Sequence, residues 1–209
     1  MHAVSNLDLV LGLLPLYLVS IYPLPPSGLD PVLAAVRAAL SAYLSRFFPF
    51  AGRVVRHPDT NVPEVACSNT GTELVVADAA GVPLAAVDFG RFDGSLGMIQ
   101  IPFDAGLALS LQLVRFACGG YSLTVGTNHL LTDGRALVVL LNSHAEMVRT
   151  GGGLSRGPLL DRSSLPVPRS PPRYSSSLDA EFAGFTPETM INPLLAAAME
   201  RRLYRIPRR

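Results

Sequence analysis

The sequence contains no lysine and no tryptophan; all 17 of its basic residues are arginine. They face 16 acidic residues, for a formal charge of +1. So even a balance gives no electrostatic footprint for nucleic acid or an acidic membrane surface. Cysteine is scarce: Cys67 and Cys118 lie far apart, without C-x-x-C spacing or a nearby histidine pair. That pattern excludes a zinc site and a disulfide framework, and both thiols read as small hydrophobes buried in strand-like runs. No serine sits in a G-x-S-x-G elbow. The glycines at 151–153 lack the strand-to-helix setting and the lysine of a phosphate loop. No internal repeat is present.

Long hydrophobic runs are nearly absent too. The one to test is 7–22, which carries Asp8 at its start and Pro15 in its middle. It falls short of the roughly 20 residues a spanning helix needs. No basic region precedes it and no small-residue cleavage site follows it before the proline-rich turn 23–26. It reads as a buried strand pair, and a cytoplasmic location follows by default.

What remains is a globular composition, 49% hydrophobic and 16% charged over 209 residues, enough for one sizeable core. A helix is expected over 31–47, with Asp30 as N-cap, Pro31 in the first turn and Pro49 as the stop. Val32, Leu33, Val36, Leu40, Tyr43, Leu44 and Phe47 make one apolar stripe, suited to a flat partner such as a sheet. Segments 52–57 and 64–67, separated by a turn-rich stretch, read as a hairpin, and 73–77 as another strand. No element is assigned between 79 and 103. The strongest β signal is 107–118, then Gly119-Gly120, then 121–129, a tight hairpin in which both glycines can take positive φ. Period two places Tyr121, Leu123, Val125, Thr127 and His129 on one face, with His129 at the strand end. A second helix is expected from Asp133 or Gly134 to about Arg149, closed by the glycines. Segment 151–177 reads as a long linker, and 193–204 as a short final helix.

The chemically suggestive string runs from Thr127 to Gly134 and fits H-x-x-x-D-G. Acyl transfer from a thioester needs a base to take the proton of an attacking hydroxyl or amine, and an imidazole titrates in the right range. His129 is the candidate base. Asp133, four positions on, can tie down the loop, although it is equally well placed as a helix N-cap. Gly134 leaves room beside the turn. His144 reads as a packing residue at the edge of the helix stripe, His57 as a solvated turn residue, and His2 as terminal. No histidine pair has metal spacing, so no metal is expected.

Three blocks carry a resemblance. The string 128–151, NHLLTDGRALVVLLNSHAEMVRTG, resembles the H-x-x-x-D-G block and following helix of the plant BAHD acyltransferases, which use coenzyme A thioesters. Residues 5–25 resemble that family's opening, and 44–55, LSRFFPFAGRVV, its helix-to-strand passage. The resemblance implies a chloramphenicol-acetyltransferase-like α/β domain, an α+β two-layer arrangement with a mixed sheet covered by helices. It implies acyl-CoA as co-substrate with no bound cofactor, and a small alcohol or amine of plant metabolism as acceptor. Nucleic acid and membrane are not implied partners, and full-length members are usually monomeric. It makes His129 the general base and Asp133, with Gly134, structural support that points away from the substrate channel. It assigns no substrate-binding residues.

The family's second motif, Asp-Phe-Gly-Trp-Gly, has no counterpart; Asp88-Phe89-Gly90-Arg91 precedes His129 and lies in the wrong place. The expected layout is an N-terminal domain over 1–150, a crossover linker over 151–185, and the start of a truncated second domain over 186–209. Such a chain is expected to be weakly active or inactive. One alternative is a non-catalytic interaction module, or a decoy for a full-length relative. Another is a trimeric chloramphenicol-acetyltransferase-like enzyme, which fits poorly because a long stretch follows His129.

Overall fold

Apolar residues at period two need a second strand beside them and a cover over at least one face, and the chain supplies both. The computed structural model describes residues 4–10, 12, 14–23, 25, 27–88, 99, 104–161, 169, 171 and 173–182. The first element is a helical turn, α1 (Asn6–Leu9), closed by a reciprocal capping box. The Ser5 backbone N–H donates to Asp8 Oδ2 at 2.7 Å, and the Asp8 N–H donates to Ser5 Oγ at 3.3 Å. Strand β1 (Pro15–Tyr22) follows. The apolar run at 7–22 is thus one half-buried strand preceded by part of a capped turn, not a strand pair. The Ser-x-x-Asp capping pattern and Pro15 divide it.

Helix α2 (Leu29–Arg46) starts two residues earlier than the apolar stripe indicates. Its N-cap is Gly28, at φ 77°, and no side chain caps it. Asp30 therefore lies inside the first turn, and its carboxylate stands 3.5 Å from Arg115 Nη2, an exposed pair worth little in stability. The helix gives way to a 3₁₀ turn, Phe48–Ala51, then to the hairpin β2 (Arg53–Arg56) and β3 (Pro63–Ala66). Strand β4 (Glu73–Ala79), strands β5 (Leu109–Phe116) and β6 (Tyr121–Asn128), and helix α3 (Gly134–Thr150) complete the body. A single turn, α4 (Leu178–Glu181), lies beyond. The helix expected over 193–204 and the segment 186–209 fall outside the described residues.

The main sheet has the order β1-β6-β5-β4. β4 runs parallel to β5, and the other neighbours are antiparallel, so the sheet is mixed. α2 and α3 cover one face: Ala39, Tyr43 and Phe47 meet Leu137, Leu140 and Met147 over Leu109, Leu111 and Val125. Burying side chains of this size contributes roughly 1.5–3 kcal/mol each. The Tyr43 hydroxyl donates to the Leu140 carbonyl at 2.9 Å, which joins the two helices and satisfies a buried phenol whose pKa burial holds far above its usual range. On the opposite face Val114 and Phe116 pack with Val87 and Ile99. The Ile99 carbonyl accepts from both Gln112 Nε2 (2.8 Å) and Thr124 Oγ1 (3.0 Å).

The β5–β6 hairpin forms as the glycine pair indicates, but only Gly119 takes positive φ, at 79°. Space is tight at Gly120, where a Cβ would lie 3.1 Å from the Tyr22 carbonyl oxygen and 3.2 Å from Leu84 Cδ2. Neither cysteine is buried as expected. Cys118 sits exposed in this turn, and Cys67 is half-buried just past β3. The Leu84 and Gly120 backbones, hydrogen-bonded to the Cys118 thiol, lower its pKa; burial raises that of Cys67. Among the described residues no helix is long and apolar enough to cross a membrane.

Two tests follow from this packing. A Cβ on Gly52 would come within 2.3 Å of the Ala66 carbonyl oxygen, a backbone atom fixed by the β2–β3 pairing. Gly52→Ala should cost about 1–3 kcal/mol or more, as overpacking does; a urea midpoint equal to that of the unaltered chain would contradict this. His144 is buried, edge-on to Tyr43 at 5.1 Å, and its Nε2 has no hydrogen-bond partner among the described residues. Burial lowers its pKa from 6.5, so as pH falls the unfolded chain takes up this proton first. The stability that neutral His144 allows is complete above about pH 6.5 and is lost progressively below it. His144→Leu should flatten the fall in melting temperature between about pH 7 and pH 5; an unchanged slope would exclude this histidine as its source.

Candidate functional site

The loop after β6 is built by alternation. Strand geometry persists just past Asn128, and the His129 N–H donates to the Leu14 carbonyl at 3.0 Å, extending the β1–β6 ladder by one bond. The chain then turns. The Leu131 N–H donates to the Asn128 carbonyl at 3.0 Å, and Thr132 Oγ1 donates to the same oxygen at 3.4 Å. Leu130 and Thr132 point inward, at 1% and 3% exposure, whereas His129 and Leu131 are half-buried and Asp133 is exposed. A Cβ on Gly12 would stand 3.1 Å from Leu130 Cδ1, so the N-terminal segment backs closely onto this loop.

His129 therefore follows the last residue of β6 and faces outward from the loop. Among the described residues its imidazole makes no hydrogen bond. Asp133 does not reach it. The Asp133 Oδ1 accepts from the Ala136 N–H at 2.7 Å, which makes Asp133 the N-cap of α3. The carboxylate thus holds the loop by anchoring the helix that ends it. A Cβ on Gly134 would meet nothing within 4 Å, so the described atoms place no steric demand on that glycine. At the far end of α3, Gly151 takes the left-handed conformation at φ 69°.

A cavity of about 600 Å³ opens beside the loop. Phe47, Phe50, Leu131, Val139, Leu140 and Leu159 give it an apolar lining, and Asp133 and Arg135 supply its charged groups. Its size is that of a small-molecule site. His129 is not among its lining residues: Leu131, Thr132 and Asp133 line it instead.

His144 and His57 stay outside the site, and His2 falls outside the described residues. His144 is a core residue, and His57 is half-buried in the β2–β3 turn, where its Nδ1 accepts from the Asp59 and Thr60 N–H groups at 3.2 and 3.4 Å. Among the described residues no three His, Cys, Asp or Glu side chains gather to hold a metal ion. One contributor was missed from the sequence. Asn128 Oδ1 accepts from the Leu130 N–H at 2.8 Å, an Asx turn around His129. Asparagine at a strand end is the signal that could have found it. If Asp133 acts by capping, Asp133→Ala should destabilise the chain by about 0.5–2 kcal/mol and Asp133→Ser by much less. Equal losses for the two in chemical denaturation would contradict the cap.

The "Transferase family" model matches residues 3–205. Shikimate O-hydroxycinnamoyltransferase of Nicotiana tabacum is 34% identical over 179 residues, 81% of this chain and 39% of that protein. Hydroxycinnamoyl-CoA:5-hydroxyanthranilate N-hydroxycinnamoyltransferase of Avena sativa is 32% identical over 188 residues, 82% of this chain and 41% of that protein. The chain thus spans about two-fifths of the length of these relatives. Among solved structures, vinorine synthase superposes with a TM-score of 0.60 at 23% identity, covering 80% of this chain and 44% of that one, and shares its fold. With a mixed sheet, covering helices and a family match over nearly its whole length, the chain belongs to the Transferase family, the BAHD acyltransferases, and corresponds to their N-terminal part.

Proposed function

We propose that this chain is the half of an acyltransferase that carries the general base, His129, and that the reaction moves an acyl group from a coenzyme A thioester to a hydroxyl or amine. The observation that carries the proposal is the placement of an unengaged, half-exposed imidazole at the end of the central strand. Its loop is fixed on one side by the Leu14 bond and on the other by the Asp133 cap. Relatives whose names specify O- and N-hydroxycinnamoyl transfer support the acyl-transfer reading and extend it to phenylpropanoid thioesters as donors.

The neutral imidazole takes the proton from the acceptor O–H or N–H as that atom attacks the thioester carbonyl carbon. A tetrahedral intermediate forms, with its negative charge on the former carbonyl oxygen. Collapse restores the carbonyl, breaks the C–S bond and expels the coenzyme A thiolate, which receives the proton held by the imidazolium. Asp133 and Gly134 support the loop and do not react. Residues 1–150 form the catalytic body, 151–185 the crossover, and 186–209 the beginning of a second domain that would close the opposite side of the channel. Closure matters because water-filled sites lose both positioning and electrostatic gain. Residues 1–209 expressed alone should consume acyl-CoA far more slowly than a full-length chain carrying this half.

In such a full-length chain, His129→Ala should lower turnover of a hydroxycinnamoyl-CoA by about 10²–10⁴-fold, the usual worth of a positioned acid–base group. Release of free thiol in the presence of an acceptor alcohol or amine measures it. Turnover within a factor of two of the unaltered chain would remove His129 from the mechanism.

A further inference from the structure

We infer that Asn128 is the positioning residue for His129, through an Asx turn that fixes the direction in which the imidazole leaves the sheet. This inference rests on the reading of His129 as the base.

Asn128 is fully buried, with 0% of its surface exposed, at the last position of β6. An amide side chain gains nothing from burial in a hydrophobic sheet unless its polar atoms are used. Here Oδ1 accepts from the Leu130 N–H at 2.8 Å, two residues on, while the Asn128 main-chain oxygen accepts from the Leu131 N–H and the Thr132 hydroxyl. One residue thus takes three of the bonds that bend the chain around His129. The imidazole itself makes no hydrogen bond among the described residues, so its direction is set by the backbone from which it leaves and by the packing around it. Nδ2, the other end of the amide, is buried without a partner among the described residues. A buried, unsatisfied donor is costly. An aliphatic residue of the same size would avoid that cost but could not accept from the Leu130 N–H. What the asparagine supplies that an aliphatic residue could not is the Oδ1 acceptor at the Leu130 N–H.

The remaining constraints on His129 cannot substitute for this one. The Leu14 bond fixes the His129 N–H but leaves rotation beyond its Cα open. The Asp133 cap acts from four residues away, on the far side of the turn. The Asn128 side chain makes the tightest closure around His129, from the residue before it to the residue after it, and the bonds to the Asn128 carbonyl enclose Leu130 as well, so loss of the side-chain bond would loosen the φ and ψ that aim the ring.

The test uses the 209-residue chain labelled at histidine, with the His129 ring resonances assigned by comparison with His129→Ala. The unaltered chain should show one fixed set of ring contacts in nuclear Overhauser spectra. Asn128→Ala should average them while the rest of the chain keeps its dispersed signals. Asn128→Ser, whose hydroxyl can still accept from the residue two positions on, should restore them. Unchanged His129 contacts in Asn128→Ala would overturn the inference, as would equal and general loss of structure in both variants. In an active full-length chain, Asn128→Ala should lower kcat by about 10–10²-fold with KM unchanged, the scale of a misplaced catalytic group; an unchanged kcat there also overturns it. Should His129→Ala leave turnover intact, the base reading fails by itself, and the ring contacts still decide whether Asn128 holds the imidazole.

Discussion

Everything in this domain hangs on β6 being hydrogen-bonded along both edges while both of its faces are buried. β1 pairs with it from Pro15 to Tyr22 on one side, and β5 from Leu109 to Arg115 on the other. A strand so enclosed would ordinarily be aliphatic. This one carries Ser122, Thr124, Thr127 and Asn128, all between 0% and 2% exposed. Buried polar groups must find partners, and three of these find theirs outside β6. Thr124 reaches the Ile99 carbonyl, Thr127 the Ala108 carbonyl, and Asn128 the Leu130 N–H. The strand therefore fixes the segments around it as well as the sheet.

That arrangement explains how a loop with few contacts of its own can hold a defined shape. The alternation of β6 runs on into it: Leu130 and Thr132 continue inward while His129 and Asp133 stay out. The helix cap and the strand end then act as two fixed posts. Between them the chain has little freedom, and the catalytic candidate needs no hydrogen bond from its own ring to be held.

Much of this could be read from residue order where a local period was at work. The stripe in α2, the β2–β3 hairpin, the β5–β6 hairpin and the face of β6 ending at His129 all depend on neighbours within a few positions. The failures arose where a distant partner decided the matter. Asp30 looks like a cap, but the helix begins at Gly28 and the carboxylate turns to Arg115 on β5. Cys118 looks like a strand residue, but the turn takes it. β4 lying parallel to β5 leaves no local trace, since parallel neighbours are set by a long crossover. At the site, the strand-end position of His129 was legible. The cavity lined by Leu131 to Asp133 without His129 was not, because it depends on how the 3₁₀ turn after α2 meets the first turns of α3.

The pairing of β1 with β6 also has a cost in time. Pro15 lies in register with Asn128, so β1 is completed by a strand made much later in the chain. At roughly 5–20 residues per second of synthesis, β1 waits on the order of ten seconds for its partner. During that interval an uncharged, largely apolar strand, PLYLVSIY, is outside the ribosome with no sheet to join. Unpaired apolar strands are prone to aggregate, so the long separation of β1 from β6 in the chain lengthens the interval in which the growing polypeptide is exposed to that fate.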